Sequence, residues 1–441
     1  MLCDTPVVLH WFRRDLRLDD NAALYHALRS GYPVIPIFIF DRNILDDLEH
    51  RNDARVTFIH NTLLSLKKEL ESKGSTLLTF YNTPEEAFTF LTKHYTIKAV
   101  YTNHDYEPYA IHRDEEINKL LTSKNIPFHT FKDQCIFEKD EILSDGGTPY
   151  KVYTSYKNKW LKTVNDFYLK SYPCSQYESS FYKSPPAPII GLEEMNFTRS
   201  TLLIPSTSVK QGVIKNYHNT RDIPAITDGT SRLGIHLRFG TICVREKARK
   251  ARTLNETWLN EIIWRDFFMQ LLWHFPAVVT EPFQSKFKWI PWRHDENDFQ
   301  KWCEGKTGYP LVDAGMRELN ATGHMHNRVR MVTASFLTKH LMIDWRWGEA
   351  YFASLLLDYD LSANNGNWQW SAGTGADAQP YFRIFNPENQ QKRFDPEFVY
   401  IKRWVPEYGT ASYPAPMIEH KFAVARCKKS FESGLHQSNE L

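Results

Sequence analysis

The sequence predicts a Rossmann-like α/β N-terminal domain built on a parallel sheet, followed by a larger, all-helical C-terminal domain. In roughly the first 135 residues, short runs of Val, Ile, Phe and Tyr alternate with stretches that carry apolar residues at helical spacing. After residue 208 the spacing is helical almost throughout. Between these parts, Pro residues cluster at 185–188, where no regular helix can form. We therefore expect an α/β domain over 1–135, a connection over 136–208 and a helical domain over 209–441.

The apolar runs of the first domain are predicted strands, at residues 7–12, 34–40, 76–80, 97–102 and 127–131. The amphipathic stretches between them are predicted helices, at residues 21–29, 53–73, 84–94 and 109–123. Such alternation implies right-handed crossovers and a parallel sheet that helices cover on both faces. No G-x-G-x-x-G motif follows the first strand, which disfavours an NAD-type dinucleotide site there.

The second domain contains four predicted longer helices, at residues 255–275, 310–322, 328–341 and 348–357. The segment 358–370 is dense in acids, amides and Trp, and we predict it to be a loop. Each of its polar groups needs a partner once buried. A ligand with both aromatic and hydrogen-bonding edges would supply such partners.

Composition excludes several classes of protein. The chain has 441 residues, of which 24% are charged and 14% aromatic, and this is typical of folded domains. No apolar run approaches the ~18–20 residues of a membrane span, and the first residues lack the features of a secretory signal. The six cysteines are scattered without a C-x-x-C pair, which predicts reduced thiols. We expect a soluble, cytoplasmic protein without membrane contact.

Two short segments carry candidate binding groups. The run D-G-T-S-R-L-G at 228–234 combines a Gly turn, hydroxyls and one Arg, which suits a phosphate as well as an ordinary helix N-cap. In the helix that follows, Glu261, Trp264, Arg265 and Phe268 share one face. That face suits a pocket for a planar ring, and a surface ion pair between Glu261 and Arg265 is the simpler alternative.

A third segment opens the helix at 328–341. The helical spacing places Asn327 above Met331, one turn apart. His324 and His326 lie two residues apart without a third ligand nearby, so we expect no metal site. Residues 206–441 carry a small excess of basic side chains, which directs a polyanionic partner to this half.

Together these segments resemble the photolyase/cryptochrome flavoprotein family, most closely its class I cyclobutane pyrimidine dimer photolyases. The motifs follow one another in the family's order between residue 7 and about residue 407. They are W-F-R-R-D-L-R at 11–17, T-S-R-L at 230–233, W-L-N-E-x-I-W-R at 258–265, G-x-P-x-V-D-A-x-M-R at 308–317, H-N-R-x-R-M at 326–331, L-x-A-N-N-G-x-W-Q-W at 361–370 and P-Y-F-R-I-F-N-P at 380–387.

The resemblance implies that the helical domain binds FAD. The residues implied in FAD binding are Tyr217, Thr230, Ser231, Arg232, Leu233, Gly234, Trp258, Arg265, Arg330, Asp358, Asp360 and Asn364. Asp358 is expected to pair with Arg330, and Asn364 to face N5 of the flavin. Gly234 stands where the family commonly has Ser, which removes one hydroxyl from the phosphate site.

The resemblance also implies a partner, DNA that contains pyrimidine dimers, with the dimer flipped out of the duplex. The residues implied in DNA and lesion binding are Arg221, Glu261, Trp264, Asn327, Arg328, Met331 and Trp370. A protonated Glu261 would donate to the carbonyl oxygen on which charge develops. The basic cluster at 245–252 is either a further phosphate contact or a solvated helix face.

The implied reaction is light-driven repair. Light excites the reduced flavin, an electron passes to the dimer, two C–C bonds break and the electron returns. Trp368, Trp345 and Trp292 match the family's chain for reducing oxidised flavin.

The sequence leaves open whether a second, antenna chromophore binds, and both methenyltetrahydrofolate and a deazaflavin are candidates. The protein is expected to be a monomer. Two alternatives are a cryptochrome-type blue-light photoreceptor without repair activity and a light-independent nucleic-acid-binding module. Met331 argues against repair of (6-4) photoproducts, because the family pattern for that reaction has His near this position.

Overall fold

The computed structural model describes residues 3–440 and divides the chain into two compact units. The first unit, here the α/β unit, comprises the chain up to Glu138, Lys162–Thr207 and Leu233–Thr253. The second, here the helical unit, comprises Lys139–Leu161, Ser208–Arg232 and the chain from Leu254.

The α/β unit is built on one five-stranded sheet, as predicted. Its strands are β1 (Cys3–Phe12), β2 (Val34–Asp41), β3 (Leu78–Asn82), β4 (Tyr95–Asn103) and β5 (Phe128–Phe131). All pairings are parallel and the strand order is β3-β2-β1-β4-β5, the order of a Rossmann-like sheet. Side chains of β1 alternate between two cores, with Val8 and Phe12 on one face and Leu9 and Trp11 on the other.

Helices occupy much of the remaining chain. Up to residue 254 they are α1 (Ala22–Leu28), α2 (Arg42–Leu45), α3 (Ala54–Ser72), α4 (Pro84–His94), α5 (Pro108–Thr122), α6 (Tyr153–Thr163), α7 (Asp166–Leu169), α8 (Gln211–Lys215), α9 (Tyr217–Thr220), α10 (Gly234–Arg238) and α11 (Val244–Leu254). Beyond it they are α12 (Glu256–His274), α13 (Glu296–Cys303), α14 (Pro310–Thr322), α15 (Asn327–Ser335), α16 (Trp345–Leu355), α17 (Leu361–Ala372), α18 (Pro387–Phe394), α19 (Val399–Trp404) and α20 (His420–Glu440).

The predicted domain boundaries differ from the observed division. The segment 136–208, predicted to be a connection, is shared between both units, and Leu233–Thr253 belongs to the α/β unit. Arg245 of α11 gives the physical reason, because it is 4% exposed and its Nη2 lies 2.8 Å from Asp20 and 2.9 Å from Asp133. A buried charge needs such partners, and these hold α11 in the α/β unit.

The same contacts correct the basic cluster predicted at 245–252. Arg245 and Lys247 are buried, and Lys247 pairs with its neighbour Glu246 at 3.0 Å. The sequence predicted either a phosphate contact or a solvated helix face for the whole cluster. Both predictions are wrong for Arg245 and Lys247, because their side chains are buried. Lys250 and Arg252 remain exposed.

Two segments of the helical unit differ from their predictions. The helix expected at 328–341 ends as an α-helix at Ser335, continues as a π-helix over Phe336–Leu341 and stops at Met342, whose φ is 56°. The loop expected at 358–370 is largely helical, because α17 covers Leu361–Ala372.

Within the described chain, no helix is long and apolar enough to cross a membrane. Five cysteines whose side chains are described, at positions 135, 174, 243, 303 and 427, are free and buried. Burial among apolar atoms raises the pKa of the Cys303 thiol to about 12, so this thiol is neutral and unreactive.

Candidate functional site

Helix α17 organises the site, although its sequence is poor in helix formers. Asp360 is the N-cap residue and its carboxylate accepts from the backbone N–H of Ala363 and from the hydroxyl of Ser362. Gly373 ends the helix in the left-handed conformation, with φ 79°. Between these caps lie three Asn and a Gly, so tertiary packing rather than propensity maintains the helix.

Gly366 shows how close that packing is. A Cβ at this position would lie 2.2 Å from a ring carbon of Phe268, which belongs to α12. On the neighbouring turn, Asn365 and Gln369 each donate from their amide nitrogen to the backbone oxygen of Val278 at 2.9 Å. These contacts fix the rotation of α17 about its own axis.

The opposite side of α17 borders a recess, here called the central recess, which encloses about 550 Å³ of space open to solvent. Many of the predicted site residues line it together. They are Asn327, Arg330, Met331, Asp358, Asp360, Asn364 and Trp368. Four of the twelve predicted FAD residues, those at 330, 358, 360 and 364, therefore share one space with two of the predicted lesion residues.

The expected ion pair of the recess is present. Nη2 of Arg330 lies 3.0 Å and 3.1 Å from the two carboxylate oxygens of Asp358. Burial opposes ionisation of Asp358, yet the charge and hydrogen bonds of Arg330 outweigh it and lower the pKa of the carboxyl. Nε of Arg330 also donates to the backbone oxygen of Met325, which fixes the guanidinium. Asp358 is consequently an ionised acceptor at the rim of the recess.

Glu349 of α16 accepts two hydrogen bonds from the side-chain amide of Asn364. The amide nitrogen donates to the Glu349 side chain at 2.8 Å and to the Glu349 backbone oxygen at 3.1 Å. Burial raises the pKa of Glu349, against the hydrogen bond from Asn364. Asn364 therefore has a fixed orientation where it borders the recess.

A second group of predicted residues surrounds Glu261 of α12. Nη1 of Arg221 lies 2.5 Å from a Glu261 carboxylate oxygen, and the hydroxyl of Tyr217 donates to the same carboxylate. Burial raises the pKa of Glu261, while Arg221 and Tyr217 oppose the increase. The sequence offers Arg265, one turn away on the same helix, as an alternative partner for Glu261, and the structure places Arg221 there instead.

Contacts connect this group to the central recess. Asp222 lies 3.8 Å from Nε of Arg221 and accepts from Nη2 of Arg328 at 2.7 Å. Nη1 of Arg328 in turn lies 3.7 Å from the sulfur of Met331, which borders the recess. The two arginines predicted to bind DNA phosphates are thus both paired with acids.

Trp264 lies in an aromatic cluster. Its ring is parallel to that of Tyr153, with centroids 3.5 Å apart, and it is also stacked on Phe268 at 5.4 Å. The side chain is half-buried. Trp370 is half-buried on α17, about 200° around the helix from Trp368 at ~100° per residue.

The predicted phosphate-binding run is divided at Arg232. Thr230, Ser231 and Arg232 belong to the helical unit, where the indole N–H of Trp258 donates to the Ser231 hydroxyl at 3.4 Å. Leu233 and Gly234 belong to the α/β unit, at the start of α10. The expected helix start falls later than Thr230, because Arg232 has a φ of 50° and Leu233 is the N-cap.

The three Trp residues of the predicted electron chain pack in one hydrophobic core. Trp345 and Trp368 are 1% and 2% exposed, and Trp292 is partly buried against the same core. Phe352 lies edge-on to Trp368 at 4.9 Å, and a fourth ring, Trp302, lies at 6.1 Å.

Three residues of the site were not predicted. Glu349 orients Asn364, Tyr153 stacks on Trp264, and Asp222 pairs with Arg328. Each acts across a long separation in sequence or from a segment without a recognisable motif, so no local pattern indicates it. Glu349 had one weak signal, an acid among the apolar residues of a predicted helix.

The fold and this recess define a class of protein, a two-domain flavoprotein. Residues 8–176 match the family model for DNA photolyase, and residues 258–412 match the model for the FAD-binding domain of DNA photolyase. The chain belongs to the DNA photolyase family.

Individual relatives agree with this assignment. The chain is 37% identical to the deoxyribodipyrimidine photo-lyase of Vibrio cholerae, over 94% of this chain and 96% of the relative. It resembles the crystal structure of an archaeal photolyase from Sulfolobus tokodaii with two FAD molecules, at 34% identity, TM-score 0.81 and coverage of 97% and 99%. It also resembles a Synechocystis cryptochrome, at 26% identity, TM-score 0.83 and coverage of 97% and 100%.

FAD is the cofactor of the helical unit, and the residues present fit it. The FAD-binding model covers α12 to α19, which include every element that lines the central recess. The recess offers an ionised carboxylate, an amide oxygen and aromatic walls. That donor and acceptor set suits the polar edge and the flat faces of a flavin ring.

Proposed function

We propose that this protein is a deoxyribodipyrimidine photo-lyase, which splits cyclobutane pyrimidine dimers in DNA under blue or near-ultraviolet light. When bound, reduced FAD supplies the electron that opens the dimer after light absorption. The other tasks fall to the chain: holding the flavin, accepting the flipped-out dimer, and placing hydrogen-bond donors where charge develops.

The observation that carries the proposal is the composition of the central recess. Asp358, Asp360 and Asn364, assigned to the flavin, line the same space as Asn327 and Met331, assigned to the lesion. A flavin and a pyrimidine dimer bound there would lie in contact. Direct electron transfer needs such an arrangement, whereas a photoreceptor without a substrate does not.

Glu261 is assigned to the carbonyl oxygen of the dimer. Because burial raises the pKa of Glu261, its neutral, donating form extends to higher pH than that of an exposed carboxyl. Arg221 lies against this carboxylate at 2.5 Å and would turn to a DNA phosphate when Glu261 is neutral. Binding of the lesion and protonation of Glu261 would then favour each other.

Trp264 and Trp370 are assigned as apolar faces for the two linked pyrimidines. Trp264 is held by Tyr153 and Phe268, so little side-chain freedom is lost when a base stacks on it. Arg328 is assigned to a backbone phosphate of the DNA. On binding, its guanidinium would leave Asp222 and contact the phosphate.

A repair assay tests the proposal. Ultraviolet-irradiated oligothymidine is incubated with FAD-reduced protein, half in the dark and half in blue light, and dimers are counted by liquid chromatography. We expect dimer loss only in the illuminated half. Equal dimer content in both halves contradicts the proposal and leaves the cryptochrome-type photoreceptor as the better description.

The photoreceptor is the second candidate, and one observation favours it, the similarity to the Synechocystis cryptochrome. Its 26% identity is lower than the 37% identity to the Vibrio cholerae enzyme, over nearly the same share of the chain. The photo-lyase is therefore the first proposal.

Three further parts of the proposal concern the antenna chromophore, the cellular location and the oligomeric state. The Sulfolobus tokodaii structure holds two FAD molecules, which supports a second, antenna chromophore here, and an absorption spectrum of the purified protein would identify it. We place the enzyme in the cytoplasm, where free cysteines stay reduced. We also expect it to act as a monomer, which its elution volume in size-exclusion chromatography tests.

A further inference from the structure

Arg221 contacts two carboxylates, those of Glu261 and Asp222. Its Nη1 lies 2.5 Å from Oε1 of Glu261, and its Nε lies 3.8 Å from Oδ1 of Asp222. The same Oδ1 of Asp222 accepts from Nη2 of Arg328 at 2.7 Å. Two arginines and two carboxylates therefore form one cluster, in which Asp222 contacts both positive charges and Glu261 contacts Arg221.

The contact between Arg221 and Glu261 lacks the alignment of a strong hydrogen bond. Oε1 of Glu261 is buried and, among the described residues, accepts no well-aligned hydrogen bond. The 2.5 Å contact with Nη1 of Arg221 is thus mainly an attraction between charges. A bidentate arginine pair would hold the carboxylate in its ionised form more firmly. Glu261 can therefore lose its charge without losing a directional bond at Oε1.

The charge on Glu261 depends on the side chains that surround it. Burial raises the pKa of Glu261 most, Arg221 and Tyr217 lower it, and Asp222 raises it again. Two negative charges beside one guanidinium repel each other, which is why Asp222 disfavours ionised Glu261. The titratable and charged side chains that face Glu261 are Tyr153, Tyr217, Arg221 and Asp222 from other segments, with Arg265 one turn away on α12.

We propose that Asp222 is a positioning residue for Glu261, because its carboxylate shares the positive charge of Arg221 and so favours the neutral, hydrogen-bond-donating form of Glu261. When Glu261 is neutral, Asp222 remains as the counter-charge of both arginines until DNA phosphates replace it. The inference rests on the proposed donor role of Glu261, and it assigns a role to a residue that acts through Glu261 rather than on the dimer.

Asp222→Asn removes the charge and keeps the size of the side chain. Ionised Glu261 then becomes more favourable, so its pKa falls and the neutral donor is lost at lower pH. We expect the midpoint of the Glu261 titration to move by about 0.5–1 pH unit toward lower pH, because solvent screens the partly exposed Asp222. Asp222→Glu keeps the charge and should titrate like the parent.

Glu407→Gln is the matched control for the change in net charge. Glu407 also pairs with a partly buried arginine of the helical unit, Arg317, at 2.7 Å. Its side chain is 28% exposed, compared with 42% for Asp222. Because this pair lies outside the cluster around Arg221, its loss should not move the midpoint.

Two measurements follow the titration of Glu261. In the dark and without DNA, infrared spectra of the FAD-loaded proteins report the C=O stretch of a neutral carboxyl, and the difference from Glu261→Gln assigns the band. In blue light, the quantum yield of dimer repair against pH gives the midpoint in the complex with DNA. Thermal unfolding checks that each variant is folded.

Three results overturn the inference. They are an unchanged midpoint in folded Asp222→Asn, an equal shift in Glu407→Gln, and a change of the pH profile by Asp222→Asn that persists in the Glu261→Gln background. The infrared midpoint does not depend on repair. A protein that has the expected midpoints but repairs no dimers therefore contradicts the proposed function and leaves the control of Glu261 by Asp222 supported. Normal repair with an unchanged midpoint contradicts only the role of Asp222.

Discussion

Trp264 and Tyr153 lie face to face, with ring centroids 3.5 Å apart and planes 5° from parallel. Tyr153 is itself fixed, because its hydroxyl donates to the backbone oxygen of Asn260 and its backbone N–H donates to Asp377. The proposed stacking surface for the lesion is therefore oriented before any DNA binds. Such preorganisation lowers the entropic cost of binding.

Replacement of Trp368 by Phe should separate flavin binding from flavin photoreduction. Phe fills much of the same space beside Phe352, so FAD should be retained. Light-driven reduction of oxidised FAD should slow by at least about tenfold, because Phe is much harder to oxidise than Trp. Absorbance of the bound flavin under blue light, with an external reductant, gives the rate.

Trp302→Phe is the matched control for that experiment. Trp302 is equally buried and its ring centroid is 6.1 Å from that of Trp368, but it lies outside the proposed chain. Its photoreduction rate should stay near that of the parent. Loss of photoreduction in Trp302→Phe, with a normal rate in Trp368→Phe, would reverse the assignment.

Gly366→Ala should destabilise the helical unit despite the higher helix propensity of Ala. Propensity alone favours Ala by about 1 kcal/mol. The added Cβ would lie 2.2 Å from the buried ring of Phe268, however, and such overpacking typically costs about 1–3 kcal/mol. The net effect should be a lower thermal midpoint and easier release of FAD.

Gly212→Ala is its control, because a Cβ at that position would have no atom within 4 Å apart from its chain neighbours and the backbone of its own helix. Reduced freedom of the unfolded chain should leave this variant unchanged or more stable by about 0.4–1 kcal/mol. Equal thermal midpoints for the two variants would show that α17 can shift away from α12.

A structural feature can be predicted from the sequence when its cause lies within a short stretch of the chain. A feature that depends on contacts between distant residues cannot be predicted in this way. The five strands and the helices between them follow from alternation within short windows, and all five strands are found. Helix α17 was mistaken for a loop because its Asn and Gly residues favour loops locally, while contacts with Phe268 and Val278 lie far away in sequence.

The roles of individual side chains also divide into those that the sequence predicts and those that depend on distant contacts. The pairing of Arg330 with Asp358 was expected from the family resemblance, and it is present. Burial of Arg245 was missed, because the acids that neutralise it, Asp20 and Asp133, are more than a hundred residues away. Glu349 was missed for a related reason: its effect depends on how closely two helices pack.

Glu261 should make repair depend on pH. Burial raises the pKa of its carboxyl, so the neutral donor is present below that raised pKa and is lost as pH rises through it. The quantum yield of repair should therefore fall as pH rises from the ordinary carboxyl range through the raised pKa of Glu261. The contribution of Glu261 to the free energy of unfolding changes with pH in the same direction. It is complete below the ordinary carboxyl pKa and is lost as pH rises through the raised pKa.

Glu261→Gln separates the two effects of the residue. Gln donates from its amide at every pH in this range, so the quantum yield should become independent of pH. Measurements at fixed ionic strength exclude salt effects on DNA binding. A pH profile that is the same in the parent and in Glu261→Gln would assign the titration to another group.

Trp264→Ala should weaken binding of the lesion and leave binding of undamaged DNA nearly unchanged. One base–aromatic contact contributes about 1–3 kcal/mol, or roughly 5- to 150-fold in dissociation constant. Undamaged duplex depends mainly on phosphate contacts, which this substitution does not touch. Titration of the FAD-loaded variant with damaged and undamaged duplexes at one salt concentration gives both constants.

Trp264→Phe controls for packing, because a Phe ring can still stack on Tyr153 and should recover most of the lesion affinity. FAD content measured by absorbance should match the parent in both variants. If Trp264→Ala weakens binding of the two duplexes equally, the indole supports the fold and offers no surface to the dimer. The Ala variant must therefore lose discrimination between the duplexes, and the Phe variant must keep it, because only a stacking contact depends on an aromatic face.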